Sequence, residues 1–194
     1  MTNIIGLTGN SGSGKGMVAD IMRDNGALIL DCDKIVHDNM AIGGASYKDI
    51  INYFGNDILN DDNTINRAYL GNIVFNDKVK LNKLNEISHR YVTSYIKQMI
   101  KEHSKSYKYI VIDAPLLFEA GLEVLCSSVW LVYADENIRL DRVINRDNIT
   151  KEKAIARFNN QCDYKELIKK ADVIIDNNGG LKELKRQVIA NMAI

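Results

Sequence analysis

Gly9-Asn10-Ser11-Gly12-Ser13-Gly14-Lys15-Gly16 is the stretch whose reading decides the fold. The apolar run Ile4-Ile5-Gly6-Leu7 leads into it, and Met17-Val18-Ala19-Asp20-Ile21-Met22 follows with apolar residues at helical spacing. The segment therefore joins a buried strand to a helix, the setting that a phosphate-binding loop needs. Glycines at 9, 12 and 14 let successive backbone N–H groups close on an anion, and the helix adds its own unpaired N–H groups and positive dipole end. Lys15 brings a mobile positive charge to the β- and γ-phosphates of a nucleotide. The pattern G-x-x-x-x-G-K-[ST] holds from Gly9 to Lys15 and fails at its last position. Gly16 stands there in place of the hydroxyl residue that ordinarily ligates magnesium.

Working outward, the 194-residue chain has length for one domain with a modest insertion, and it carries no internal repeat or low-complexity segment. Lys plus Arg and Asp plus Glu both number 25, so no global field argues for nucleic acid or a membrane surface. Cys32, Cys126 and Cys162 are too widely spaced for a C-x-x-C pair and read as reduced thiols rather than a disulfide framework or zinc site. A strand begins within two or three residues of Met1, leaving no room for a signal peptide, and no apolar run approaches the roughly 20 residues of a membrane span. A cytoplasmic protein is expected.

After the loop, a helix runs to about Asn25, Gly26 stops it, and Ala27-Leu28-Ile29-Leu30 forms a second strand ending at Asp31-Cys32-Asp33. Carboxylates beyond a strand's C-terminal end lie where α/β sheets collect ligands, so Asp33 is a candidate to accept a proton from an attacking hydroxyl or to hold magnesium through water. Its structural alternative is a helix N-cap. From Ile42 to about Tyr107 nothing reads as a long strand. A short amphipathic helix through Ile50, Ile51 and Phe54, one from Arg67 to about Ile73 and a long one from Asp77 to about Lys101 make a helical insertion suited to covering a substrate. Its polar candidates are Arg67, His89 and Arg90.

Tyr109-Ile110-Val111-Ile112-Asp113 ends in a carboxylate as a Walker B strand does, which makes Asp113 a second candidate for magnesium or its water. Val129-Trp130-Leu131-Val132-Tyr133 and Val173-Ile174-Ile175 give the fourth and fifth strands. Strands alternating with helices imply a parallel sheet with right-handed crossovers. Between those two strands Arg142 and Arg146 share a helical face, with Arg139 nearby, and Thr150 is placed to cap a following helix. Arginines on a closing lid stabilise the charge of a moving phosphoryl group. After the last strand, the amide of Asn177 is a candidate to read an adenine edge.

The sequence resembles the dephospho-coenzyme A kinase family across nearly its whole length. The likeness rests on Gly6-Leu7-Thr8-Gly9 with Gly12-Ser13-Gly14-Lys15, Asp31-Cys32-Asp33-Lys34-Ile35, Ile65-Asn66-Arg67 with Leu70-Gly71-Asn72-Ile73-Val74-Phe75, Pro115-Leu116-Leu117-Phe118-Glu119, Arg142 with Arg146, Gln161, and Ala171-Asp172 through Asp176-Asn177-Asn178-Gly179. The loop alone fits many nucleotide-binding proteins, whereas Pro-Leu-Leu-Phe-Glu together with Asp-Asn-Asn-Gly is selective. The resemblance implies transfer of the ATP γ-phosphate to the ribose 3′-hydroxyl of dephospho-coenzyme A, the last step of coenzyme A biosynthesis, with ATP and dephospho-coenzyme A as small-molecule partners and Mg2+ as cofactor. It implies an α/β fold of the P-loop nucleoside-monophosphate-kinase type: a five-stranded parallel sheet flanked by helices, working as a monomer with an oligomer left open. The expected layout is a single domain over 1–194, with a core of about 1–41, 108–135 and 171–194, a helical substrate region of about 42–107 and a lid of about 136–170.

By matching position, the resemblance assigns Asn10, Ser11, Gly12, Ser13, Gly14, Lys15 and Gly16 to ATP, with Arg142 and Asn177 beside it. It makes Lys15, Asp33 and Arg142 catalytic, and it puts Asp33, Arg67, His89 and Leu117 at dephospho-coenzyme A. Several residues depart from the family pattern. Gly16 and Met17 replace Ser-Thr, Asn10 and Ser11 replace a glycine and an apolar residue, His37 replaces an arginine, and Arg90 replaces a proline. Two other readings stay open: a nucleotide-binding relative that lost turnover, which Gly16 favours, and a kinase for another nucleotide or small alcohol built on the same core.

Overall fold

In the computed structural model, which describes residues 1–193, every apolar run named above becomes a strand. The strands are β1 (Asn3–Thr8), β2 (Leu28–Asp31), β3 (Tyr109–Asp113), β4 (Ser128–Tyr133) and β5 (Val173–Asp176). They form one all-parallel sheet in the order β2-β3-β1-β4-β5. Both faces of this sheet are covered, which is why β3 is buried at all five positions and reads as a continuous apolar run rather than an alternating one.

The register pairs Leu7 with Asp113, Thr8 with Leu131, and Tyr133 with Asp176. The C-terminal ends of β1, β3, β4 and β5 are thereby brought to one edge. Helices α1 (Lys15–Asp24) and α9 (Leu181–Met192) cover one face. Val18, Ile21 and Met22 of the first and Leu184, Val188 and Met192 of the second pack with Ile5, Leu7, Val111, Trp130, Val132 and Ile175. Each such fully buried aliphatic side chain contributes about 1.5–3 kcal/mol.

By internal contacts the chain forms two units. The larger takes Met1–Leu30 and the chain from His103 onward, and the smaller is Asp31–Glu102. The larger also contains α6 (Glu136–Asp147), α7 (Lys151–Asn159) and α8 (Tyr164–Lys170). Leu140, Val143 and Ala154 hold α6 and α7 together, and Thr150 Oγ1 accepts from Lys153 N, so the expected cap is present.

The smaller unit is helical, with α2 (Cys32–Met40), α3 (Tyr47–Phe54), α4 (Arg67–Phe75) and α5 (Lys78–His103). Its own core gathers Met40, Ile50, Ile58, Ile65, Leu70, Val74 and Ile87. An isolated antiparallel bridge joins Leu59 and Ile65 within this unit. Asp49 of α3 accepts from Arg90 and, at 2.7 Å, from the Tyr91 hydroxyl, which ties α3 to α5.

Candidate active site

The loop after β1 is shaped by neighbours that remove its choices. Gly12 has φ +81°, and a Cβ there would meet the backbone of Arg139; Gly14 has φ +88°, and its Cβ would collide with the Asn177 amide. Ser13 N donates to Asn10 O at 3.0 Å and closes a turn. Outside the loop, three side chains take its carbonyls. Asn177 Nδ2 donates to Ser13 O at 2.7 Å, Arg142 Nη1 to Gly12 O at 3.3 Å, and Arg139 Nη1 to Ser11 O at 3.5 Å. A trans peptide points its C=O and N–H in opposite directions, so fixing the carbonyls of Ser11 and Ser13 on the α6 side turns the N–H groups of Gly12 and Gly14 away from it. The first turn of α1 contains no acidic residue, leaving its positive end for an anion.

Arg142 Nη2 also donates to Asn177 O at 2.9 Å, so arginine and asparagine brace each other as well as the loop. Lys15, at the first position of α1, is ion-paired with Asp113 at the end of β3, and both side chains are largely buried. Arg139 is 5% exposed, a burial that a guanidinium tolerates because Phe158 and Tyr164 flank it at 4.4 and 4.8 Å from their ring centroids. Burial raises the Tyr164 hydroxyl above its ordinary value, and the charge of Arg139 opposes that shift. A cavity of about 470 Å³ lies beside the loop, with Asn10, Tyr133, Arg139, Phe158 and Tyr164 among its walls.

The residues assigned from sequence fall into three groups. Lys15, Asp113, Arg142 and Asn177 gather around the loop as just described. Asn177 is 3% exposed and its Nδ2 donates to Ser13 O, which places the residue expected beside ATP against the phosphate loop. Leu117 is completely buried; a Cβ on Gly6 of β1 would lie 2.8 Å from its Cδ2, so it packs beneath the sheet.

Asp33, Arg67 and His89 belong to the smaller unit. Asp33 is exposed in the first turn of α2, but the cap is Asp31, whose Oδ1 accepts from Lys34 N at 3.0 Å. The capping alternative for Asp33 is therefore corrected: the helix starts at Cys32, two residues earlier than a cap at Asp33 would place it. Arg67 is exposed at the start of α4, which Asn66 caps, and His89 is half-buried on α5 with its pKa lowered by that burial.

Arg139 and Gln161 were underweighted from sequence. Gln161 Nε2 donates to Ser11 Oγ at 2.9 Å. The available signal for Arg139 was its spacing three residues before Arg142 on one helical face, which puts both on the loop.

Magnesium fits this donor set in one way. Among the described residues no three His, Cys, Asp or Glu side chains assemble into a metal-ligating group, and Gly16 has no hydroxyl. A cation carried largely by nucleotide phosphates and water, with a carboxylate at the edge of its water shell, is compatible with that.

Comparison with known proteins decides the family. The family model for dephospho-CoA kinase matches residues 3–183. A dephospho-CoA kinase of Lactobacillus johnsonii is 43% identical over 189 residues, covering 97% of this chain and 96% of the relative. This chain belongs to the dephospho-CoA kinase family. Among solved structures, a dephospho-CoA kinase from Campylobacter jejuni is 28% identical with a TM-score of 0.72, covering 100% of this chain and 96% of its own. TT1252 from Thermus thermophilus is 30% identical with a TM-score of 0.82, covering 99% of this chain and 97% of its own. The five-stranded parallel sheet and its flanking helices are thus the architecture of a dephospho-CoA kinase family member from end to end. No helix among the described residues is long and apolar enough to cross a membrane.

Proposed function

We propose that this protein transfers the γ-phosphoryl group of ATP to the ribose 3′-hydroxyl of dephospho-coenzyme A, giving coenzyme A and ADP. The observation that carries the reading is the loop itself, held in an anion-cradling shape by Asn177 and Arg142 with Lys15 at its mouth, in a chain of this family. The N–H groups of residues 10–16 and the start of α1 receive the phosphates. Lys15 carries its charge to the β- and γ-phosphates, and Arg142 holds the loop while adding positive charge nearby. Asn177 serves as a brace for the loop in this reading.

Asp33 accepts the proton of the attacking 3′-hydroxyl. The new bond forms between that oxygen and the γ-phosphorus, and the bond from phosphorus to the ADP oxygen breaks. Arg67 and His89 contact dephospho-coenzyme A, and Leu117 supports the site from the sheet. Asp113 or Asp33 would hold Mg2+ through water, and the ion, when bound, neutralises charge on the β- and γ-phosphates. A Cβ at Gly16 meets nothing within 4 Å, so Ser fits there; Gly16→Ser is expected to lower the magnesium concentration giving half-maximal rate by a few fold. A cytoplasmic monomer goes with this reading, and Cys32, Cys126 and Cys162, which are free thiols, accord with the reducing compartment.

ADP release is the test, measured with ATP, magnesium and dephospho-coenzyme A beside adenosine and other nucleotides as acceptors. Turnover selective for dephospho-coenzyme A, and reduced about 10²–10⁴-fold in Asp33→Asn, is expected for loss of a general base. ATP binding without turnover on any acceptor would instead support the nucleotide-binding relative that Gly16 leaves open.

A further inference from the structure

The lid is fastened to the phosphate loop through side chains that the loop motif leaves unspecified. Asn10 Nδ2 donates to the carbonyl of Cys162 at 2.9 Å, and Gln161 Nε2 donates to Ser11 Oγ at 2.9 Å. Both lid residues lie in the corner between α7 and α8. The same corner is seated by Tyr164, whose hydroxyl donates to Val132 O at 3.1 Å, and by the rings of Phe158 and Tyr164 on Arg139. Arg139 in turn reaches the carbonyl of Ser11.

Residues 10 and 11 therefore have divided roles. Their backbone belongs to the phosphate cradle, while their side chains belong to the lid corner. We propose that Asn10, Ser11 and Gln161 form a latch that holds the lid corner on the phosphate loop and sets the rate at which nucleotide leaves. They are positioning residues: none need touch the reacting atoms. Anything that fixes the loop's backbone also presents both side chains to the lid, so phosphate binding and latch closure reinforce each other. The nucleotide half of this proposal rests on the ATP reading above; the lid contact does not.

The experiment uses the whole 194-residue chain with Ser11→Ala, Gln161→Ala, their double variant, Ser11→Thr, Asn10→Ala and the Asn10→Ala/Ser11→Ala pair. Amide hydrogen exchange of residues 159–163 is followed without nucleotide, and release of a fluorescent N-methylanthraniloyl ATP by stopped flow. A net hydrogen bond of ordinary strength corresponds to about a fivefold change in an equilibrium. Ser11→Ala and Gln161→Ala are each expected to speed exchange at 159–163 about fivefold and to speed release of the analogue similarly. The double variant should do no more than either single, because both remove one bond. Ser11→Thr, which keeps the hydroxyl, should stay within about twofold of the parent, and Asn10→Ala, which removes the other bond, should multiply with Ser11→Ala.

Unchanged exchange in the single variants, or effects of Ser11→Ala and Gln161→Ala that multiply to about 25-fold, would overturn the latch. Failure of the analogue to bind the parent protein would overturn the ATP reading while the exchange data still decide the lid contact.

Discussion

The larger unit buries polar side chains at and beside the phosphate loop, whereas the smaller unit leaves Asp33 and Arg67 exposed and His89 half-buried. Six polar or charged residues are buried among the described residues, and five of them, Thr8, Ser13, Asp113, Arg139 and Asn177, belong to the larger unit at or beside the phosphate loop. The sixth, Ser46, accepts no such role; its hydroxyl donates to Asn39 O within the smaller unit. Asp33, Arg67 and His89 make no side-chain hydrogen bond or ion pair among the described residues. The contrast teaches where the cost of ordering falls. In the proposed reading, a cradle already fixed by Asn177 and Arg142 would bind its anion without first ordering a loop, while the exposed Asp33 and Arg67 would be ordered by the ligand that meets them.

The comparison breaks most sharply at Gly14. Gly14→Ala adds a Cβ at φ +88° against the Asn177 amide, so it combines backbone strain with a clash inside the brace. A loss of ATP affinity of about 100-fold or more, with about 2–4 kcal/mol of stability, is expected by calorimetric titration and urea unfolding. Asn177→Ala is gentler: it removes the 2.7 Å donor to Ser13 O and leaves only Arg142 Nη1 at 3.5 Å, costing about 1–2 kcal/mol, or a fall of a few degrees in Tm for a chain of this size. An unchanged Tm would mean that the brace is not what shapes the loop.

On the other side of the comparison, Arg67→Ala should leave Tm and the KM for ATP alone and raise the KM for dephospho-coenzyme A about tenfold, the value of one charge-assisted hydrogen bond. A matching rise in both KM values would erase the proposed division.

The smallest effect concerns pH. Burial lowers the His89 pKa from its ordinary 6.5, so the unfolded chain takes up its proton first as the pH falls. Stability from the neutral imidazole is complete above about 6.5 and is lost as the pH drops through the lower folded value. Urea midpoints should therefore decline between about pH 7 and 5, and His89→Gln should flatten part of that decline; equal slopes in parent and variant would show that His89 is not its source.

How far the sequence carries toward these statements differs by residue. The strands were legible because a doubly covered parallel sheet makes whole apolar runs, and β3 at Tyr109–Asp113 falls where that run predicts. The loop was legible because glycine spacing and Lys15 are local. Asn177 was not, since an amide turns its donor toward a base edge or a carbonyl with equal chemistry and only the fold decides which lies near. Arg139 reads as one more surface charge until Phe158 and Tyr164, about 20 residues away along the chain, are seen to enclose it. Asp31 and Asp33 compete for the same cap, and a helix start two residues earlier settles it for Asp31.

ATP affinity of the Asp33→Asn variant, measured by calorimetric titration in the presence of magnesium, tests the division between the two units most directly. The account predicts a Kd within about twofold of the parent, because the nucleotide is held by the loop and its braces in the larger unit while Asp33 serves the acceptor. A tenfold or greater loss of ATP affinity would contradict it and would make Asp33 part of the nucleotide site.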